Sequence, residues 1–305
     1  MFGRIESIKL TIIMNKIEKI KFEQLGIKHS KDDKSENFPV SSFLINNKYK
    51  RHIKNLYFFA RSADDIADNK SLKINRKYDL LNEFYFLIKN KKYSKYFFIN
   101  NLLETLETTQ INNQYPLLLL EAFKQDVEKK RYDSWEDLID YCNKSASPVG
   151  RFVIDLHYFD RTEKCKDIDK IYLGCDNLCN SLQIINHIQD CKKDFLDLNR
   201  IYLPQEYFRK LNCSSQNLLA INERKKILDV LNICLENVEQ LLKMSKKYIP
   251  LINKSFGLKK ETYVIYNIAK KLNFLLKKND PIKKNVKLSH IDLIFCFFRG
   301  IIGRL

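Results

Sequence analysis

Three aspartates lie within five residues in the stretch YFFARSADDIADNK, directly after a run of aromatic side chains. Asp64 and Asp68 are four residues apart, so on a helix both carboxylates point the same way, whereas Asp65 is rotated about 100° from Asp64. Carboxylates this close repel each other, and burying them is costly unless a partner offsets their charge. The stretch therefore indicates either a solvated helix face or a site for a cation.

A second polar stripe lies further along the chain, in LQIINHIQDCKKD. Its members are spaced by three or four residues and share one helix face: Gln183, Asn186, Asp190 and Asp194. The opposite face is apolar: Leu182, Ile185 and Ile188. A polar stripe usually faces water, so a solvated face stays open for each stripe taken alone.

Two features favour a cation site over two solvated faces. The first stripe follows LYFFA, which should be inside, and the second lies in an otherwise apolar helix with no lysine before Lys192. Facing each other across a cavity, the two stripes would bring together carboxylates that are stable only around hard cations. Magnesium prefers oxygen ligands and is typically held by one or two carboxylates plus phosphate oxygens. The pair therefore predicts a Mg²⁺-bound diphosphate on an apolar molecule.

Basic and small residues near these stripes fit such a ligand. Arg61 lies three residues before Asp64, and Arg200 follows Asp194; the planar guanidinium matches phosphate geometry, although either arginine can instead pair with the aspartates. In YCNKSASPVG, Pro148 predicts a helix kink. The small residues around it leave room for a long chain, or serve close helix packing.

Composition points to a helical globular protein. The 305 residues are 45% hydrophobic with only seven glycines and six prolines, which favours long helices over a barrel or sandwich. The charge of +17 fits background lysine bias, an anionic membrane surface or a polyanionic substrate. The sequence has no recognised nucleic-acid motif. The eight cysteines contain no CxxC pair and are expected to be reduced, mostly buried thiols rather than a zinc site.

Helical periodicity recurs almost continuously after a polar leader. It predicts helices over 48–69, 77–90, 98–109, 115–129, 135–159, 165–195, 216–248 and 259–278, with Asp133 or Ser134 as a cap and no convincing strand. The predicted organisation is a poorly ordered leader over 1–35, an all-α single-domain helical bundle with a central apolar cavity over 36–280, and a tail over 281–305.

Taken together, these motifs resemble the squalene/phytoene synthase family, the head-to-head isoprenoid synthases. The resemblance runs from about residue 36 to 275 and rests on DDIAD, YCNKSASPVG and LQIINHIQDCKKD followed by RIYLP, in this order and spacing. ENFPVSSFL, and Gln189 where many members carry arginine, resemble the hydroxysqualene synthase branch of bacterial hopanoid biosynthesis. The chain departs from the family at Asn199, where glycine is usual, and at Lys193.

The resemblance implies an isoprenoid-synthase fold, Mg²⁺ and a set of site residues. The expected metal-binding residues are Asp64, Asp68, Asn186, Asp190 and Asp194, and the four aspartates are expected to be catalytic together with Tyr57 and Arg61. The expected substrate-binding residues are Asn37, Phe38, Arg61, Tyr141, Gln183, Asn186, Arg200 and Tyr202. Asn186, Gln189 and Tyr57 are candidates for holding the attacking water.

The branch implies conversion of presqualene diphosphate and water to hydroxysqualene and diphosphate. The alternatives are head-to-head condensation of prenyl diphosphates to presqualene diphosphate, squalene or phytoene, and a non-catalytic assembly factor for respiratory complexes, which retention of the four aspartates argues against. We expect a cytoplasmic protein. Its apolar C-terminal stretch IDLIFCFFRGIIGRL is too short to span a bilayer. This stretch is either a helix packed on the core or a membrane-surface helix. Neighbouring pathway enzymes are expected as further partners of the protein.

Overall fold

A computed structural model describes residues 44–158 and 165–304. In these ranges the chain forms eleven α-helices: α1 Asn47–Ala67, α2 Ile74–Lys89, α3 Phe97–Thr109, α4 Gln114–Glu128, α5 Trp135–Ser145, α6 Ser147–Tyr158, α7 Ile168–Leu198, α8 Gln205–Lys210, α9 Arg224–Tyr248, α10 Phe256–Lys278 and α11 His290–Ile301. The all-α prediction is confirmed. The leader over 1–35, and the expected substrate residues Asn37 and Phe38, lie outside the described residues.

Side-chain caps fix the starts of several helices. Ser134, one of the two predicted caps, accepts a hydrogen bond from the Asp137 amide at 3.2 Å and so satisfies a backbone donor that has no partner within α5. At α11, Ser289 and Asp292 cap each other's backbone amides in a capping box. These local contacts define where the helices begin before any tertiary packing is considered.

The predicted helix over 135–159 is two helices, with the break at Ala146 (φ −125°, ψ −49°). The kink expected from Pro148 is therefore confirmed as a full break, because proline clashes with the preceding turn. Beyond the break, α6 packs tightly on α7: a Cβ added at Gly150 would lie 2.4 and 2.5 Å from the Cys175 and Cys179 sulfurs. Close helix packing thus accounts for this small residue.

The apolar core has two parts. One joins α1 to α4 with Phe152 and Leu156 of α6. The other runs from α5 to α11 and includes the long helix α7, which packs along α6 and α9. All eight cysteines are free thiols, four of them buried and four partly buried. The central apolar cavity and the domain boundaries at 36–280 and 281–305 stay predictions.

A short parallel strand pair, which the sequence did not predict, joins distant segments. Strand β1 (Arg131–Tyr132) follows α4, and β2 (Ile201–Pro204) follows α7. Asn199 ends α7 in the left-handed conformation (φ 51°), which explains why the family's usual residue here is glycine and why asparagine is the substitute that tolerates the turn. The pairing brings the start of β2 beside the end of α4.

Candidate functional site

The first acidic motif lies on α1, where Arg61 is held between two aspartates. Arg61 Nη2 donates to Asp65 Oδ1 at 2.7 Å, and Arg61 Nη1 lies 3.3 Å from Asp64 Oδ2. The Asp65 side chain is only 1% exposed. Asp65, whose role the sequence left open, is therefore the buried anchor that orients the Arg61 guanidinium.

Asp64 differs from its neighbour in being partly open. Its side chain is 37% exposed, whereas that of Asp65 is 1% exposed. Burial raises its pKa to about 8, with further contributions from the charge on Asp68, while Arg61 acts in the opposite direction. The protein therefore disfavours a negative charge on Asp64, and a cation bound beside it would favour the ionised form.

The last turn of α1 meets the end of α7. Arg200, two residues beyond α7, lies with Nη2 3.0 Å from Asp68 Oδ1, and Lys70 pairs with Asp197 at 2.9 Å. These two contacts join the helix of the first acidic motif to the helix of the second. The expected convergence of the two motif-bearing helices is thus present at this end.

Arg200 is buried and its guanidinium contacts a carboxylate that the sequence analysis missed. Its Nη2 donates to the Asp126 carbonyl at 2.7 Å, its Nη1 donates to the Tyr202 hydroxyl at 3.0 Å, and its Nε lies 3.6 Å from Asp126 Oδ1. The salt bridge anticipated as the alternative for Arg200 is therefore formed with both Asp68 and Asp126. Its contact with substrate stays a prediction.

Asp126 connects α4, α5 and β2. It is 2% exposed and accepts hydrogen bonds from Tyr141 at 2.7 Å and Tyr202 at 2.8 Å. Burial raises the pKa of Asp126, whereas Arg200 and the two tyrosine hydroxyls lower it. His187 of α7 stacks on Tyr202, with ring centroids 3.5 Å apart. Tyr141 and Tyr202, both expected to bind substrate, thus have their hydroxyls bonded to this carboxylate.

A sequence signal for Asp126 was available. Asp126 falls in helical register with the buried positions of α4, which include Leu119, Leu120, Phe123 and Val127. A carboxylate on the apolar face of a helix must have partners, because an isolated buried charge is strongly disfavoured. Its position therefore predicts a buried polar cluster, although the partners cannot be read from α4 alone.

Two lysines missed by the sequence analysis lie at the same end of the bundle. Lys77 donates to the Ala67 carbonyl at 2.7 Å, and Lys130 lies within 3.5 Å of the Asp126 carbonyl. Burial lowers the pKa of both lysines, Arg200 lowers both further, and the charge on Asp68 raises both. They add positive charge beside the carboxylate of Asp68.

The predicted stripe on α7 is half-buried, while the apolar residues that alternate with it are buried. The half-buried members are Gln183, Asn186, Asp190 and Asp194. Tyr57 on α1 is half-buried as well. Throughout the described ranges, no three histidine, cysteine, aspartate or glutamate side chains are grouped closely enough to hold a metal ion. Each motif instead offers two carboxylates four residues apart, a donor set that suits Mg²⁺ when phosphate supplies further oxygens.

Gln189, a candidate for holding water, also connects two parts of the bundle. It is buried, and its amide nitrogen donates to the Val286 carbonyl at 2.6 Å, so it ties α7 to the segment between α10 and α11. Lys193, whose positive charge near the second motif was a departure from the family pattern, is exposed.

Comparisons with known proteins agree with this architecture. Residues 31–289 match the family described as Squalene/phytoene synthase. A hydroxysqualene synthase from Zymomonas mobilis is 34% identical over 94% of both chains, and one from Sinorhizobium fredii is 36% identical over 86% of both chains. The crystal structure of a squalene synthase from Alicyclobacillus acidocaldarius superposes with a TM-score of 0.68 at 23% identity, covering 81% of this chain and 90% of that one. The isoprenoid-synthase fold is thus confirmed, and the chain is an enzyme that belongs to the squalene/phytoene synthase family.

Proposed function

We propose that the protein is a Mg²⁺-dependent hydroxysqualene synthase that converts presqualene diphosphate and water to hydroxysqualene and diphosphate. The observation that carries this proposal is the 34–36% identity to two hydroxysqualene synthases over 86–94% of the length of both partners. Similarity that extends over nearly whole chains covers the helices that would line the predicted cavity as well as the acidic motifs. It therefore supports a common product, since cavity walls decide the fate of a carbocation.

The geometry at α1 supports binding of the diphosphate. Asp65 holds Arg61 so that its guanidinium lies beside Asp64, and a planar fork fixed in this way suits phosphate oxygens. Asp64, Asp68, Asp190 and Asp194 would hold Mg²⁺. The raised pKa of Asp64 reflects the cost of a negative charge beside Asp68, and a bound cation would offset that cost. When bound, Mg²⁺ neutralises the leaving diphosphate and lowers the barrier to ionisation.

After ionisation the protein must stabilise a cation and deliver one water. Tyr57 presents an aromatic ring on the same helix as Asp64 and supports a cation–π role. Of the three candidates for holding the water, Tyr57 and Asn186 are half-buried, whereas Gln189 is buried. We therefore assign the water to Asn186 or Tyr57.

A product assay tests the proposal. Purified protein is incubated with presqualene diphosphate and Mg²⁺, without a nicotinamide, and hydroxysqualene is the expected product; EDTA should abolish it. Asp64→Asn and Asp190→Asn should release no diphosphate while keeping the helical circular dichroism spectrum. Full activity of either variant would overturn the metal-site assignment.

The competing function is condensation of two prenyl diphosphates, which membership of the squalene/phytoene synthase family supports. Supplying farnesyl diphosphate in the same assay distinguishes the two functions. If the product is presqualene diphosphate, squalene or phytoene, the function is condensation and not hydroxysqualene synthesis. No diphosphate release from any substrate would indicate a non-catalytic role.

A further inference from the structure

The C-terminal helix α11 is fixed to the protein by one face. Cys296 and Gly300 are buried against α10, and a Cβ added at Gly300 would lie 2.4 Å from Val264 Cγ2. The Asn267 side chain of α10 accepts from Arg299 Nε at 3.2 Å and donates to the Arg304 carbonyl at 2.9 Å. With its start capped by Ser289, α11 has a defined orientation.

The opposite face of α11 is apolar and open to solvent. Its residues recur at helical spacing and are 56–79% exposed: Ile291, Ile294, Phe295, Phe298 and Ile302. This set is called the outer face of α11 below. Contiguous exposed apolar surface on a soluble protein usually marks a site of interaction with a protein or a membrane.

Cations border this outer face and the adjoining helix α10. The Arg299 guanidinium lies 5.6 Å from the Phe295 ring centre, and on α10 the exposed Phe274 ring has Lys278 at 4.3 Å and Lys271 at 5.7 Å. From residue 256 to 304 the chain has eleven lysines and arginines against three acidic residues. One of the three, Asp292, is paired with Lys271 at 2.9 Å.

We propose that the outer face of α11 binds the surface of a bilayer containing anionic lipids. A helix with an apolar face bordered by lysine and arginine lies in the plane of the headgroups, with its apolar side chains in the acyl boundary and its cations on anionic phosphates. At 12 residues, α11 would lie along about 18 Å of membrane surface. None of the helices in the described ranges combines the length and the apolar character that crossing a bilayer requires.

Charge favours a bilayer over a second copy of the chain. A symmetric dimer through the outer face of α11 would bring the same cationic border from both copies together, and like charges at an interface oppose association. An anionic lipid surface instead complements that border.

Vesicle co-sedimentation of the full chain tests this proposal. Vesicles of phosphatidylcholine with phosphatidylglycerol should bind the protein, and vesicles of phosphatidylcholine alone should bind at least tenfold less. Raising the salt concentration should weaken binding, because headgroup attraction is screened. The assay needs no substrate, so its outcome is independent of the proposed function.

Replacing two outer-face residues, Phe295→Asp with Phe298→Asp, should reduce the bound fraction at least tenfold. The matched control is Ile221→Asp, at a position 88% exposed between α8 and α9, which should bind as the unchanged protein does. Ile294→Gln serves as a milder second variant, and circular dichroism checks that each protein is folded. Equal loss in the Ile221 control, or no preference for phosphatidylglycerol, would overturn the proposal. The proposal would also be overturned if light scattering showed a dimer that the double variant disrupts while the double variant still bound vesicles.

Discussion

Asp64 and Asp126 are carboxylates in one electrostatic neighbourhood, since the charge on Asp126 contributes to the raised pKa of Asp64. Their surroundings differ. Asp126 accepts from two tyrosine hydroxyls and lies beside Arg200, which also donates to its carbonyl. Asp64 lies beside Asp65 and Asp68, and its nearest cation, Arg61 at 3.3 Å, makes its shorter bond to Asp65.

The difference is the one expected between a carboxylate with a structural role and the proposed ligand-binding carboxylate. Fixed donors around Asp126 compensate its burial and in turn orient Arg200, Tyr141 and Tyr202. Asp64 lies among like charges and is partly exposed, so its charge is disfavoured unless a proton or a cation offsets it. We therefore propose that the fold supplies the partners of Asp126, whereas a bound cation would supply those of Asp64.

The largest expected effect is on activity at Asp64. Asp64→Asn keeps the shape of the side chain but removes the charge, so we expect diphosphate release from presqualene diphosphate to fall by a factor on the order of 10³ or more. Phosphate-coupled detection of the released diphosphate measures this. The control is Asp65→Asn, which should also lose activity but should lower the melting temperature as well, because it strands the buried Arg61. An Asp64→Asn enzyme with near-normal turnover would contradict the distinction.

A pH dependence of stability should accompany that loss. The pKa of Asp64 is raised from its ordinary 3.8 to about 8, so between these values the folded protein binds more protons at this site than the unfolded chain. Stability should therefore fall as pH rises through this window. In EDTA, thermal melts should show a shallower decline for Asp64→Asn, and Mg²⁺ should raise the melting temperature of the unchanged protein more than that of the variant. Parallel melting curves for both proteins would refute this.

Removing the charge at Asp126 should mainly affect stability. Asp126→Asn leaves Arg200 buried beside a neutral amide, with Asp68 at 3.0 Å as its remaining carboxylate partner. Breaking a buried pair costs about 3–5 kcal/mol, and the retained contact with Asp68 should keep the loss near the lower end of that range. Urea unfolding measures the loss. Activity should also fall, because Arg200, Tyr141 and Tyr202 lose their common acceptor; Asp126→Glu should restore part of the activity if positioning is the cause. A variant as stable as the unchanged protein would show that the cluster is not structural.

The tyrosines provide a finer version of the same test. Tyr141→Phe deletes one hydrogen bond to Asp126 and should cost about 1.5–3 kcal/mol, as expected for a bond to a charged group. Tyr202→Phe deletes a bond to Asp126 and also the acceptor of Arg200 Nη1, so it should cost at least as much. Because both hydroxyls bond one carboxylate and lie 3.4 Å apart, the double variant should differ from the sum of the single ones. Strict additivity in urea unfolding would indicate that the two bonds are independent.

The sequence predicted the helices that carry the chemistry better than the contacts that support them. Spacing alone placed Asp64 with Asp68, and Asp190 with Asp194, on common faces, because side-chain direction on a helix follows local geometry. Asp126 was missed because its partners come from α5 and β2, and local sequence patterns do not predict which helices and strands pack against each other. The same limit applies to Arg200, whose choice between phosphate and aspartate depends on the β1–β2 pairing.

That pairing itself left no periodic signal. A strand of two residues and one of four are too short for alternation to show, and their alignment depends on Asn199 ending α7 with a positive φ. A distortion near Pro148, by contrast, was predicted, although as a kink within one helix and not as the break at Ala146, since proline acts through its own ring and not through distant neighbours.

The smallest expected effect concerns two aspartates on α7 only three residues apart. Asp197 pairs with Lys70 at 2.9 Å on the exposed surface, where Lys70 lowers the pKa of Asp197; such pairs contribute about 0–1 kcal/mol. Asp197→Asn should therefore leave activity and the melting temperature nearly unchanged. Asp194→Asn, one turn earlier and half-buried on the predicted metal face, should lower diphosphate release and reduce the stabilisation by Mg²⁺. Steady-state kinetics with a Mg²⁺ titration compares the two variants. If both release diphosphate at the same rate with the same Mg²⁺ dependence, the metal site does not end between Asp194 and Asp197.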